Sequence, residues 1–167
     1  QACGLHLMSR DERNPLKATT YGVGELLLAA MNEGCRDFII GLGGSGTSDC
    51  GRGMLMALAQ KLTCGQLEAL PAHPMIRSCR FILASDVQNP LYGPMGAARI
   101  YGGQKGASPA MQEELDRLAM DFATQSAQLL GHVRSDFRDA GIVLMRVERG
   151  EQIQLGVLLD VDAQVEQ

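Results

Sequence analysis

What the sequence lacks narrows it first. It has no excess of positive charge: 15 Lys and Arg stand against 19 Asp and Glu, a net charge of −4. A nucleic-acid binder wants a basic face, so nucleic acid is not an expected partner. Small anions stay open, because they need only local positive groups. No apolar run approaches the roughly 20 residues of a membrane-spanning helix, so no membrane partner is expected. The five cysteines, Cys3, Cys35, Cys50, Cys64 and Cys79, include no Cys-x-x-Cys pair, which argues against a zinc site. Their odd number and the lack of a secretory leader lead to an expectation of reduced thiols in a cytoplasm. They read as small buried hydrophobes, with Cys50 set apart because it falls in a loop. The chain opens at Gln1 without an initiating Met and stops at Gln167 soon after the run Val157-Leu158-Leu159. Both ends are expected to be cut from something longer.

What is present is an ordinary soluble composition, 46% apolar and 20% charged over 167 residues. That length holds one domain, or one with a small appendage, and suffices for a core.

The most informative stretch is Phe38–Gly53. Phe38-Ile39-Ile40 is aromatic and β-branched and predicts a strand. Met54–Ala59 are good helix formers. Between them lies Gly41-Leu42-Gly43-Gly44-Ser45-Gly46-Thr47-Ser48-Asp49-Cys50-Gly51. Glycines let a ligand approach the backbone, and a following helix start adds the positive end of its dipole, so the loop can hold an anion. Ser45, Thr47 and Ser48 add hydroxyls. Asp49 adds a carboxylate that can hold Mg²⁺ or take a proton. Gly41-x-Gly43-x-x-Gly46 formally fits a dinucleotide fingerprint, but alone it is a weak signal, and the Gly-Lys-Ser/Thr of a P-loop is missing. A plain Gly-bearing turn is an even competitor on this pattern.

Further along, Thr19–Glu25 leads into the helical run Leu26–Met31, with Gly34 as its stop. Thr20 near that helix start reads first as a cap. Cys79–Ser85 predicts a second buried strand. It runs into Asp86-Val87-Gln88-Asn89-Pro90, where α/β proteins place ligand groups; a turn is the plain alternative. Tyr101-Gly102-Gly103-Gln104-Lys105-Gly106-Ala107 is a third Gly-rich loop with one Lys, the natural partner of a phosphate. Ser108-Pro109 opens a long helix expected to end near Gly131, with Met111, Leu115, Leu118, Ala119, Phe122 and Ala123 at helical spacing. Ile142–Val147 and Ile153–Leu159 stand as strands or as edges of a missing element. Lone His73 carries no metal reading.

Four motifs in this order resemble the bacterial, two-domain glycerate kinases: Thr19–Leu26, Gly43–Gly51, Asp86–Gly93 and Tyr101–Ala107, with Arg13-Asn14-Pro15-Leu16 also fitting. The resemblance covers about Ala2 to Gly131. It implies an α/β, three-layer domain with a mainly parallel sheet and Gly-rich loops after strands. Residues 1–131 would be the middle domain of a two-domain protein, and 132–167 a tail returning toward the second domain. It implies transfer of the γ-phosphate of ATP to D-glycerate with Mg²⁺, a reaction that rests on charge stabilisation and positioning. The residues then expected to act are Asp49, Asp86 and Lys105. Gly43, Gly44, Ser45, Thr47, Ser48, Asn89 and Gln104 are expected to bind the cofactor. Asp49 and Asp86 both stand for the metal or for the substrate hydroxyl.

The chain departs from the family's pattern at Ser48 for Asn, Cys50 for Gly and Gly103 for Pro. The segment between the central helix and the Cys79 strand is short. A non-catalytic remnant that binds an anion or a partner chain is the second reading; a nicotinamide-binding domain is the third. Self-association, or pairing with the second domain, is expected of an α/β unit with open sheet edges.

Overall fold

The computed structural model describes residues 2–84 and 89–130. Asp86, the two apolar runs Ile142–Val147 and Ile153–Leu159, the expected helix end at Gly131 and the whole of 132–167 lie outside the described residues.

The first helix, α1, spans Tyr21–Asn32. Its buried residues Gly24, Leu27, Leu28 and Met31 recur at one-turn spacing and form one stripe. It ends at Gly34, whose φ of 91° is left-handed. There Gly34 N–H donates to the Met31 carbonyl at 3.1 Å and Cys35 N–H to the Ala30 carbonyl at 2.9 Å. This paired closure satisfies carbonyls that a helix end otherwise leaves open.

Strand β1 (Asp37–Gly41), helix α2 (Arg52–Leu62), the single-turn helix α3 (Pro74–Arg77) and strand β2 (Arg80–Ala84) follow. β1 and β2 pair in parallel, with Asp37 opposite Arg80, Ile39 opposite Ile82 and Gly41 opposite Ala84. Parallel pairing needs a crossover, and the stretch containing α2 and α3 is that crossover. Side chains alternate across the sheet. Phe38, Ile40 and Phe81 face the helices, and the two Phe rings stack with centroids 5.1 Å apart. Ile39 and Ile82 face the other way and are 77% and 39% exposed. An exposed Asp37–Arg80 ion pair at 2.6 Å sits at one end of the register.

Helix α4 (Ala97–Tyr101) and the long helix α5 (Pro109–Leu130) complete the described residues. Ser108 heads α5, its hydroxyl accepting from Met111 N–H at 3.3 Å. Ala119, Phe122, Ala123 and Ala127 of α5 join α1, α2 and the inner sheet face in one core, in which Leu58, Phe81 and Ala123 are fully buried. The α/β class and the parallel sheet are therefore as the sequence indicates. In the described residues the helical layer lies on one sheet face only. The short segment between α2 and β2 holds a 3-10 turn at Leu67–Ala72 followed by α3.

Candidate active site

The carboxyl ends of two parallel strands point the same way, and the loop after β1 leaves the sheet at that end. The loop after β1 is shaped by the N-terminal segment. Leu5 N–H donates to the Gly44 carbonyl and Gly46 N–H to the Cys3 carbonyl, each at 2.8 Å. This short antiparallel bridge holds the loop by one amide and one carbonyl. Among the described residues, the N–H groups of Gly43, Gly44, Ser45, Thr47 and Ser48 meet no protein acceptor. A Cβ built at Gly43 or Gly44 would meet nothing within 4 Å, so the space in front of that backbone is open. Unpaired backbone amides are the donors an anion needs.

Asp49 is a clasp. Its Oδ2 accepts from Thr20 N–H at 2.8 Å, Thr20 Oγ1 at 2.8 Å, Gly53 N–H at 3.0 Å and Thr19 Oγ1 at 3.2 Å. Its Oδ1 accepts from Gly51 N–H at 3.2 Å. A carboxylate offers about four lone-pair sites, two on each oxygen; four donors crowd Oδ2 and one meets Oδ1. The charge also sits at the first turn of α2, where the helix dipole favours it. Thr20 Oγ1 accepts in turn from Met54 N–H at 3.0 Å. Thr20 therefore does not cap its own helix with its side chain, as the sequence reading favoured; it bridges α1 to α2. Gly53 makes room for this knot: a Cβ there would lie 2.0 Å from Thr19 Oγ1 and 2.9 Å from Asp49 Oδ2.

Lys105 comes to the same loop from the other side. Its Nζ donates to the Thr47 carbonyl at 2.5 Å and to Ser48 Oγ at 3.4 Å. Burial lowers its pKa, while the nearby Cys50, Asp49 and Cys3 pull the other way. The lysine is carried on a 3-10 turn, Gly103–Lys105, closed by Gly106 at φ 88°. That turn rests on Arg13, whose Nη1 donates to the Gln104 carbonyl at 3.2 Å.

Cys50 takes a left-handed φ of 55°. Burial, reinforced by the charge of Asp49, pushes its thiol up to about 12, with Lys105 acting against the rise. Burial also raises the Cys3 thiol, against a hydrogen bond with the Thr47 side chain. Both shifts favour the protonated, less nucleophilic form of the thiol.

The structure thus gathers Gly43, Gly44, Ser45, Thr47, Ser48, Asp49 and Lys105. Gln104 reaches the cluster as the neighbour of Lys105, and its side chain is exposed. Asn89 is tied elsewhere: its Nδ2 donates to the Met95 carbonyl at 3.2 Å and its Oδ1 accepts from Tyr101 OH at 2.5 Å. Among the described residues no hydrogen bond joins Asn89 to the central loop. Nor does any group of three His, Cys, Asp or Glu gather there to hold a metal ion. Oδ2 of Asp49 is crowded by four donors, while Oδ1 takes one and keeps a lone pair that could hold a cation. The sequence reading passed over Arg13 as the support of the lysine loop and Thr19 as part of the clasp. The pair Thr19-Thr20 before one helix and Asp49 with Gly53 at the next was the available signal.

A Gly-rich loop and a lysine meeting beyond the carboxyl end of a parallel strand define an α/β protein of the ligand-binding kind. The model of the glycerate kinase family matches residues 1–141. The glycerate kinase of Halalkalibacterium halodurans is 40% identical over 157 residues, covering 84% of this chain and 41% of that protein. That of Bacillus subtilis is 39% identical with the same coverage. The glycerate 2-kinase of Escherichia coli K12 is 41% identical over 138 residues, covering 73% of this chain and 36% of the relative. A crystal structure of a candidate glycerate kinase 2 from Salmonella typhimurium LT2 superposes with a TM-score of 0.69 at 35% identity, over 84% of this chain and 42% of that one. The chain belongs to the glycerate kinase family. It spans about 41% of the length of the first two of these relatives.

Proposed function

We propose that this chain serves the ATP-dependent phosphorylation of D-glycerate to phosphoglycerate. The observation that carries the reading is the docking of Lys105 onto a loop with several unpaired amides and open space beside Gly43 and Gly44. Free N–H groups of Gly43, Gly44, Ser45, Thr47 and Ser48 would hold phosphate oxygens, and the Lys105 ammonium would balance the charge that develops on them. Such stabilisation is most of what phosphoryl transfer asks of a protein. The glycerate hydroxyl oxygen bonds to the γ-phosphorus, the bond to the β-phosphate oxygen breaks, and ADP leaves. Asp49 holds the loop in shape. That leaves Asp86 as the acid proposed to take the hydroxyl proton. Gln104 and Asn89 would border the ligand. Magnesium is a normal companion of ATP, and Asp49, whose Oδ1 takes a single donor, would be the residue to hold it beside the phosphates. The reading carries with it a domain over 1–131, a tail over 132–167 and a cytoplasmic location. No helix among the described residues is long and apolar enough to cross a membrane.

Calorimetric titration of the full chain with ATP and with D-glycerate tests this. Replacing Lys105 by Met is expected to weaken ATP binding at least tenfold, about 1.4 kcal/mol, in line with a charge-assisted contact. Unchanged ATP affinity would remove the lysine and its loop from the site.

A second reading, a non-catalytic member that binds an anion or a partner chain, is favoured by Cys50. Its side chain occupies a left-handed position beside the loop where the family pattern has Gly. Anion binding without turnover, even when the rest of a relative is supplied, would select it.

A further inference from the structure

The lysines of the chain are Lys17, Lys61 and Lys105; the first two are exposed and Lys105 is half-buried. The partners of Lys105 Nζ are neutral acceptors, the Thr47 carbonyl at 2.5 Å and Ser48 Oγ at 3.4 Å. Among the described residues the ion pairs belong to Arg80, Arg99 and Arg117, and no carboxylate lies within ion-pair reach of Lys105. A direct ion pair would fix the proton on the amine. A carbonyl and a hydroxyl hold it less firmly, and burial adds to this by disfavouring the charged form. A lysine in such surroundings gives up its proton more readily than an exposed one, and the neutral amine is a nucleophile.

The loop against which this amine rests also offers a hold for an anion. The N–H groups of Gly43, Gly44, Ser45, Thr47 and Ser48 meet no protein acceptor among the described residues, and space is open beside Gly43 and Gly44. A molecule with a phosphate at one end and an electrophilic carbonyl beside it matches both features. Its phosphate takes the loop amides, and its carbonyl carbon then lies beside Nζ. Holding the two together turns a chance collision into a positioned encounter. Acyl phosphates are the chemical class with that build.

We propose that Lys105 is an acylation site, modified by acyl phosphates that dock through their phosphate on the Gly43–Ser48 loop. The neutral Nζ attacks the carbonyl carbon and a C–N bond forms. The C–O bond to the phosphate breaks, the phosphate leaves with that electron pair, and it carries away the proton shed by the amine. Nothing is oxidised or reduced. The resulting amide is uncharged and keeps a single N–H where the ammonium had three donors. The consequence rests on the nucleotide reading above: acylation removes the cation that faces the phosphates and so switches ATP binding off.

The full chain, incubated with acetyl phosphate at about pH 8 and sampled over time by peptide mass spectrometry, tests the site. Lys105 is expected to be acetylated roughly fivefold faster than Lys17 and Lys61, or more. Excess inorganic phosphate is expected to slow Lys105 alone. Acetic anhydride, which has no phosphate to dock, is expected to favour the two exposed lysines instead. The proposal is overturned if Lys105 reacts no faster than the other two, or if inorganic phosphate leaves its rate unchanged. It is equally overturned if acetic anhydride shows the same preference, which would trace the selectivity to the amine and not to the loop. Calorimetric titration of the acetylated chain then reads the consequence: ATP affinity is expected to fall at least tenfold, about 1.4 kcal/mol, and equal affinity before and after acetylation rejects the switch. Should the unmodified chain bind no ATP while phosphate-blocked acetylation of Lys105 persists, the nucleotide reading falls and the acylation site stands.

Discussion

Asp49 shows how one residue type permits two opposed readings until its neighbours are placed. A lone carboxylate in a Gly-rich loop suggests a metal ligand or a base. Five donors around it make it a fastener. Asp49→Asn exchanges an acceptor for a donor among donors, and is expected to cost roughly 2–3 kcal/mol of stability. Urea denaturation without magnesium or nucleotide reads this directly; a metal ligand would leave that curve unmoved. Cys50 gives a pH signature. Its folded thiol titrates near 12 instead of the ordinary 9.0. Above pH 9 the unfolded chain therefore gives up a proton that the folded chain retains, and stability falls as pH rises. By pH 10.5 the loss is about 2 kcal/mol. Cys50→Gly is expected to flatten this alkaline fall in a series of thermal melts. A slope unchanged by the substitution would assign the effect to Cys3 or Cys79, whose thiols are also raised.

At the level of elements, the sequence exposed the frame and hid the joints. Apolar periodicity marks α1, α2 and α5, and the aromatic and β-branched runs Phe38–Ile40 and Phe81–Leu83 mark the strands, because local pattern and strand pairing agree there. The convergence of the Gly43–Ser48 loop with Lys105 was legible only through resemblance. It joins residues nearly sixty positions apart, and no local pattern encodes such a contact. The Thr20 bridge was missed for a related reason: a hydroxyl before a helix satisfies local capping logic, while its actual partners are Asp49 and Met54. The lysine turn depends on an element that looks incidental. Gly106 sits at φ 88°, and a Cβ there would come 2.7 Å from the Arg13 carbonyl oxygen. Gly106→Ala is expected to cost roughly 2–3 kcal/mol, from left-handed backbone strain and the clash together. It should also weaken ATP binding by lifting Lys105 off Thr47. Full retention of both stability and affinity would show that the turn does not depend on Gly106.

For the whole molecule, share of length governs what activity to expect. A ligand cleft needs walls on each side, and reacting groups misplaced by an ångström lose most of their rate. The chain spans about 41% of the relatives named glycerate kinase. Incubated alone with ATP, magnesium and D-glycerate, it is expected to release no ADP above the protein-free background, while still binding ATP. Steady turnover in a coupled ADP assay would show that the chain itself holds a complete cleft.

The knot at Asp49 also bears on how the protein opens. One carboxylate ties the backbone of Thr20 at the head of α1 to that of Gly51 and Gly53 at the head of α2. The loop between Gly43 and Gly51 therefore has no private route to disorder: freeing it unfastens the leading turns of both helices. Loop and helix heads then form a single opening unit of the kind seen in native-state exchange, and whatever steadies the loop also quiets fraying at both helix heads.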